Sequence, residues 1–192
     1  KSRALAAGLP LPTYSYTAPY LDLKLYTDAQ AAVADVGSEL LARLRIPFEA
    51  VAPEVDEAPL AGEACAATAL RLAAAKARSL HVRYPDALII GSDQVADLDG
   101  QPLGKPGTFT NALRQLQAMR GRTVVFHTAV ALLDARFDRI EAVIVPTTVR
   151  FRSLPDDLLA RYLELDEPYD CAGSAKAEAL GIVLTEKIES AD

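Results

Sequence analysis

The sequence predicts an α/β fold, and three observations carry that prediction. The stretch from Ala64 to about Tyr84 is rich in Ala, Leu, Arg and Lys, with apolar residues at helical spacing. Directly behind it, Ala87-Leu88-Ile89-Ile90 is a short, wholly apolar run, as expected of a buried central strand. Further on, Thr123 to Leu133 and Arg139 to Phe151 read as two long strands joined near residues 135–138.

Taken in order, the chain opens on a segment that is hard to read. Leu9 to Tyr20 is rich in proline and tyrosine and is expected to be extended or irregular. Val36 to Leu44 suits a helix, and Arg45 to Val55 a strand entering a loop. The long helix from Ala64 is broken by Pro85-Asp86. The apolar strand then opens into Gly91-Ser92-Asp93-Gln94, continues through Val95 to Leu98, and turns at Asp99-Gly100, a hairpin dipeptide. Asn111 to Arg120 is a helix with Thr110 as N-cap and Gly121 as its stop. Pro146 places its part of the second long strand at an edge or bulge. Ser153 and Asp156 have capping-box-like spacing for a helix to about Leu165. Gly173 and Gly181 flank a loop, and Ile182 to Ile188 reads as a last strand.

Length and composition bound the function. A chain of 192 residues makes one domain, or two lobes sharing a cleft. With 26 acidic against 20 basic residues the net charge is -6. A polynucleotide binder carries a basic excess, so that partner is not expected. A small anionic substrate remains open if positive charge is gathered locally. Cys65 and Cys171 form no CxxC pair and are expected to be reduced thiols. His81 and His127 make no cluster for a histidine-based zinc site. No apolar run reaches membrane-spanning length.

Four places carry candidate chemistry. Leu72, Lys76 and Leu80 are spaced four apart, with Ala69 and Ala73 on the same helix face. A lysine in such a stripe must snorkel to solvent or meet an anion. Asp93 follows a buried strand, where α/β folds gather ligands; it could hold a metal or activate water, or simply close a turn. Asp56-Glu57 is an acidic pair suited to Mg²⁺ or Mn²⁺, or a solvated loop. Lys105, in Leu103-Gly104-Lys105-Pro106-Gly107, could offer its ammonium to phosphate, although no Walker loop is present.

The order and spacing of these motifs resemble one family. Pro47-Phe48-Glu49, Val55-Asp56-Glu57-Ala58-Pro59, Ala74-Ala75-Lys76-Ala77, Gly91-Ser92-Asp93-Gln94-Val95, Leu103-Gly104-Lys105-Pro106-Gly107 and Gly121-Arg122-Thr123 run together as in the Maf family. Phe126-His127-Thr128, Thr147-Thr148-Val149-Arg150-Phe151 and Tyr169-Asp170-Cys171-Ala172-Gly173-Ser174 continue the match and point to the branch associated with 7-methyl-GTP. The resemblance spans about residues 39 to 190. It implies a mixed twisted sheet with flanking helices, in two lobes around a central cleft, of the Maf/Ham-like and ITPase-like kind. It also implies hydrolysis of a nucleoside triphosphate to the monophosphate and pyrophosphate, with a divalent cation, Mg²⁺ or Mn²⁺. Asp93 would be the catalytic acceptor of the water proton. Glu57 and Asp93 would hold the metal, Lys76 and Lys105 would neutralise phosphate, and Gln94 and Glu178 match positions linked with base choice. A homodimer in the cytoplasm is the implied state.

Two stretches depart from the family pattern. Members begin with a Ser-x-Ser-Pro-x-Arg-Arg loop before a Glu-Leu-Leu helix. Here Glu39-Leu40-Leu41 is present, but Ala32-Val33-Ala34-Asp35-Val36-Gly37-Ser38 stands in front of it. The arginines of that loop bind phosphate bidentately, which lysine cannot copy; Lys24, Arg43 or Arg45 are the candidate substitutes. The expected organisation is therefore an atypical segment over residues 1–37 and a Maf-like domain over 38–192, short at its C-terminal end. The alternative to an active enzyme is a catalytically impaired nucleotide-binding relative with a regulatory role.

Overall fold

The computed structural model describes residues 23–26 and 48–190, Glu178 excepted. The expected helix over Val36 to Leu44 and the candidates Arg43, Arg45 and Glu178 lie outside the described residues. Strands β1 (Leu23–Tyr26) and β2 (Phe48–Ala50) come first. Helix α1 (Cys65–Arg78), strands β3 (Leu88–Leu98) and β4 (Gln101–Leu103) and helix α2 (Phe109–Met119) follow. The long pair β5 (Thr123–Asp134) and β6 (Arg139–Phe151), helix α3 (Asp156–Asp166) and strand β7 (Thr185–Ser190) complete the chain. Two short 3₁₀ turns, Ala172–Ser174 and Leu180–Leu184, lie between α3 and β7.

The strands form one mixed, seven-stranded sheet in the order β2-β1-β3-β5-β6-β7, with β4 also on β3. β1 pairs parallel to β2 and to β3; the pairings of β3 with β4 and β5, and of β6 with β5 and β7, are antiparallel. β5 occupies one edge of β3 over almost its whole length. Both β1 and β4 must then use the other edge: β1 takes Leu88 to Gly91 and β4 takes Ala96 to Leu98. Ser92 to Val95 fall in the gap between them. Asp93 stands in this interruption of the sheet.

Side-chain alternation along the strands separates two cores. Ile89 and Val95 of β3, with Ala129, Ala131 and Leu133 of β5, face Ala69, Ala73 and Ala77 of α1. Ala96 and Leu98, with Val124, Val149 and Phe151, face the opposite way and pack on Ala112, Leu116 and Met119 of α2 and Leu159 and Leu163 of α3. The two cores cover opposite faces and opposite ends of the sheet, and these are the two lobes. α1 can lie close on β3 because Gly91 has no side chain: a Cβ there would come within 2.1 Å of the Ala73 carbonyl oxygen.

The elements differ from expectation at several boundaries. β1 is not among the expected strands, although Leu21, Leu23 and Leu25 alternate in the sequence as strand residues do. The described strand after it is only Phe48–Ala50; residues 51–60 carry no regular structure. α1 stops at Arg78 rather than near Tyr84. Ser79 turns its hydroxyl onto the Lys76 carbonyl at 2.8 Å, and the His81 amide bonds back to Arg78, tightening the chain into turns. The N-cap of α2 is Thr108, which is extended and accepts from the Asn111 amide at 3.3 Å; Thr110 is already helical. α3 starts after Pro155, so Ser153 is no capping residue; Asp156 pairs instead with Arg120 and Gln117. Ile182 is in a 3₁₀ turn whose carbonyl accepts from Thr185 Oγ, so the last strand begins only at Thr185. The hairpin at Asp99-Gly100 has both residues at positive φ, 53° and 81°, as a tight two-residue turn demands. Pro146 lies on the part of β6 that β7 does not reach, and the irregularity in their pairing is at Arg150/Phe151.

Candidate active site

Lys76 is the centre of the site. It is fully buried, and its stripe neighbours Leu72, Leu80, Ala69 and Ala73 are buried with it. It does not snorkel: its Nζ lies 2.7 Å from Asp93 Oδ1 and 2.9 Å from Glu57 Oε1. Burying an ammonium without partners would be prohibitive, so the two carboxylates account for its position. Asp93 is itself 8% exposed, held inside the continuous strand β3 rather than closing a turn. The alternation of β3 turns Asp93 toward α1, and the Gly91 contact brings α1 close enough for Lys76 to reach it.

The acidic pair divides its labour. Asp56 Oδ1 accepts from the Ala58 amide at 3.0 Å, closing a local turn, while Glu57 turns inward to Lys76. Lys105 approaches from the other lobe, with its Nζ 3.9 Å from Glu57 Oε2. Its loop is held on both sides by α2: Asn111 Nδ2 donates to the Pro106 carbonyl and Gln115 Nε2 to the Gly104 carbonyl. Gln115 in turn accepts from the buried Ser174 hydroxyl at 2.6 Å. Sequence reasoning missed Asn111 and Gln115; their spacing of four on one helix face was the available signal.

Two ammonium groups and two carboxylates thus meet at the gap in the sheet. The carboxylates are hard oxygen donors converging on one cation, the donor chemistry that Mg²⁺ or Mn²⁺ takes. Among the described residues no three His, Cys, Asp or Glu side chains gather as a metal site; a divalent ion at the gap would have Glu57 and Asp93 as its two protein carboxylates, beside oxygens of a bound phosphate.

Gln94 follows Asp93 but points to the opposite face. Its Nε2 donates to Thr128 Oγ on β5 at 2.7 Å. It borders a cavity of about 180 Å³ walled by Phe126, Val149, Phe151, Ala177 and Ile188. Most of the cavity's lining is apolar, with Gln94, Thr147 and Thr185 as its polar side chains. Of Lys24, only the place in β1 opposite Ile89 is described.

Asp97 and His127 form a second polar contact, on β3 and β5. Asp97 Oδ2 lies 3.3 Å from His127 Nε2, and Asp97 also takes the Gly100 amide. Burial, and then the neighbouring Asp97, push the Cys65 thiol above its ordinary range, so it is a poor nucleophile. The two cysteines are not joined in a disulfide. No helix among the described residues is long and apolar enough to cross a membrane.

A family model described as Maf-like protein matches residues 37–192 of this sequence.

The chain belongs to the Maf-like family.

Individual Maf-like relatives are close. A 7-methyl-GTP pyrophosphatase from Cupriavidus metallidurans is 57% identical over 154 residues, covering 80% of this chain and 77% of that protein. One from Burkholderia thailandensis is 59% identical over 157 residues, covering 80% and 73%. Among solved structures, a HAM1 protein from Coxiella burnetii is similar over 70% of this chain and 75% of that one, at 16% identity and a TM-score of 0.47.

Proposed function

We propose that this Maf-like chain is a nucleotide pyrophosphatase that hydrolyses 7-methyl-GTP, or related modified nucleotides, to the monophosphate and pyrophosphate. The observation that carries the reading is the buried Lys76 held between Asp93 and Glu57, where the pairing along one edge of β3 is interrupted, with Lys105 near Glu57. The names borne by relatives more than half identical to it support the choice of substrate.

The chemistry follows from charge. Water must approach a phosphorus atom ringed by negative oxygens. Lys76 and Lys105 supply positive charge on either side of the gap and lower that repulsion. Asp93 takes a proton from the water at its carboxylate as the new P–O bond forms. The bond to the leaving pyrophosphate breaks, and Lys105 is placed to offset its charge. Glu57 and Asp93 would hold a divalent cation, which when bound draws charge from the phosphate oxygens. On the opposite face, the cavity beside Gln94 would take the base, the apolar walls covering its rings and the amide reading its polar edge. The reading places the protein in the cytoplasm, where nucleotides are made.

Product analysis tests it. The purified chain is mixed with 7-methyl-GTP and Mg²⁺ or Mn²⁺, and pyrophosphate and orthophosphate are assayed separately. Pyrophosphate with the monophosphate is expected. Orthophosphate alone, or no product from folded protein, would sink the reading.

We also propose a homodimer. Val130, Leu132 and Val143 form an exposed apolar patch on one face of β5 and β6, with Val130 directly opposite Val143. Light scattering at micromolar concentration should give twice the chain mass; the monomer mass would overturn this.

A further inference from the structure

Glu57 belongs to a stretch, residues 51–60, with no helix or strand of its own, and its side chain is 38% exposed. Something else must hold its carboxylate on Lys76. The peptide that follows it is fastened at both ends. The Ala58 amide donates to Asp56, and the Ala58 carbonyl accepts from Arg71 Nη2 at 3.2 Å.

Arg71 is on α1, five residues before Lys76, and leaves the helix on a different side. Its guanidinium also grips Glu63 with two prongs, Nε to Oε1 at 2.7 Å and Nη2 to Oε2 at 2.8 Å. Glu63 Oε2 takes two more bonds, from Thr68 Oγ at 2.9 Å and from the Leu60 amide at 3.3 Å. Arg71 holds the Glu63 carboxyl down at about 2, first through these hydrogen bonds. The segment from Ala58 to Glu63 is thereby pinned to the first turns of the helix that carries Lys76.

We propose that Arg71 is a positioning residue for the site. Its fork to Glu63 and its bond to the Ala58 carbonyl set the Glu57 carboxylate where it meets Lys76 and a divalent cation. The proposal rests on the reading of Glu57 and Asp93 as cation ligands. Only a guanidinium can serve, since it donates to two carboxylate oxygens and a carbonyl in one plane; lysine keeps the charge and loses the fork.

The test measures Mn²⁺ uptake by the full chain, without nucleotide, from the electron paramagnetic resonance signal of free Mn²⁺. Wild type, Arg71→Lys, Arg71→Met and Glu63→Gln are compared, with urea unfolding of each. Leu116→Ala, a core change in the other lobe, serves as a control for stability loss. Mn²⁺ affinity should fall about tenfold in both Arg71 variants and in Glu63→Gln, the size expected when a group that orients a ligand is lost. Leu116→Ala should bind as wild type does. Wild-type affinity in folded Arg71→Lys overturns the proposal, and so does an equal loss in Leu116→Ala. If Arg71→Met does not fold, Arg71→Lys decides. Failure of wild type to take up Mn²⁺ overturns the cation reading and this proposal together, so the two failures are told apart.

Discussion

Asp93→Asn is expected to lower the turnover of 7-methyl-GTP by more than about a hundredfold, the usual contribution of a general base. Asparagine has nearly the same shape, so the strand and the Gly91 contact should survive. Its amide oxygen can still accept from Lys76, but it cannot take a proton from water. The measurement is kcat under saturating substrate, beside a thermal unfolding curve. A charge-assisted hydrogen bond becomes an ordinary one, which costs about 1–2 kcal/mol of stability. A folded variant with near-normal kcat would remove Asp93 from the role. A variant that binds substrate normally and turns it over slowly would place the effect on the chemical step.

Lys76→Met should be the more damaging change to the fold. Methionine fills much the same volume and suits the apolar stripe. Removing the ammonium, however, leaves the Asp93 carboxylate, its side chain only 8% exposed, without the charged partner that contacts it at 2.7 Å. Breaking a buried pair from one side typically costs about 3–5 kcal/mol. Glu57 is more exposed and can turn to solvent, so the lower end of that range, about 3 kcal/mol, is expected in urea unfolding. The double variant Lys76→Met/Asp93→Asn should recover part of the loss, because it removes the stranded charge. Strict additivity of the two changes would mean that the pair is not coupled. Turnover should be lost in both, since phosphate charge would be unopposed on the α1 side of the gap.

The helices and long strands were legible because their signals are local. The apolar spacing of α1, the Asp99-Gly100 turn and the alternation of β5 and β6 each lie within a few residues. Boundaries were less legible because hydrogen bonds between neighbours decide them. Thr108 and Thr110 both stand at the start of α2, and only the bond from the Asn111 amide selects Thr108 as the cap. Ile182 and Val183 look like strand residues, yet half of each stays exposed in a 3₁₀ turn. Among the site residues, the sequence made Lys76 conspicuous by placing a cation in an apolar stripe. Whether it would reach solvent or an anion was undecidable there, since the answer depends on what stands opposite. Glu63, Arg71, Asn111 and Gln115 gave no comparable signal: as polar residues near helix ends or on helix surfaces they look ordinary until their partners are seen.

By itself, then, the sequence determined the α/β class, the long helix with its buried-looking lysine, and the set of charged residues that mark the family. Periodicity and motif spacing are properties of the chain alone. Only the tertiary structure decided that Lys76 meets Asp93 and Glu57, that Asp56 closes a turn while Glu57 turns inward, and that Asp93 and Gln94 face opposite sides of one strand at a gap in the sheet. The Lys76–Asp93 contact depends on residues 17 positions apart being pressed together by close packing of α1 on Gly91. Burial then removes the water that would otherwise have satisfied each charge separately, and the charges must satisfy one another.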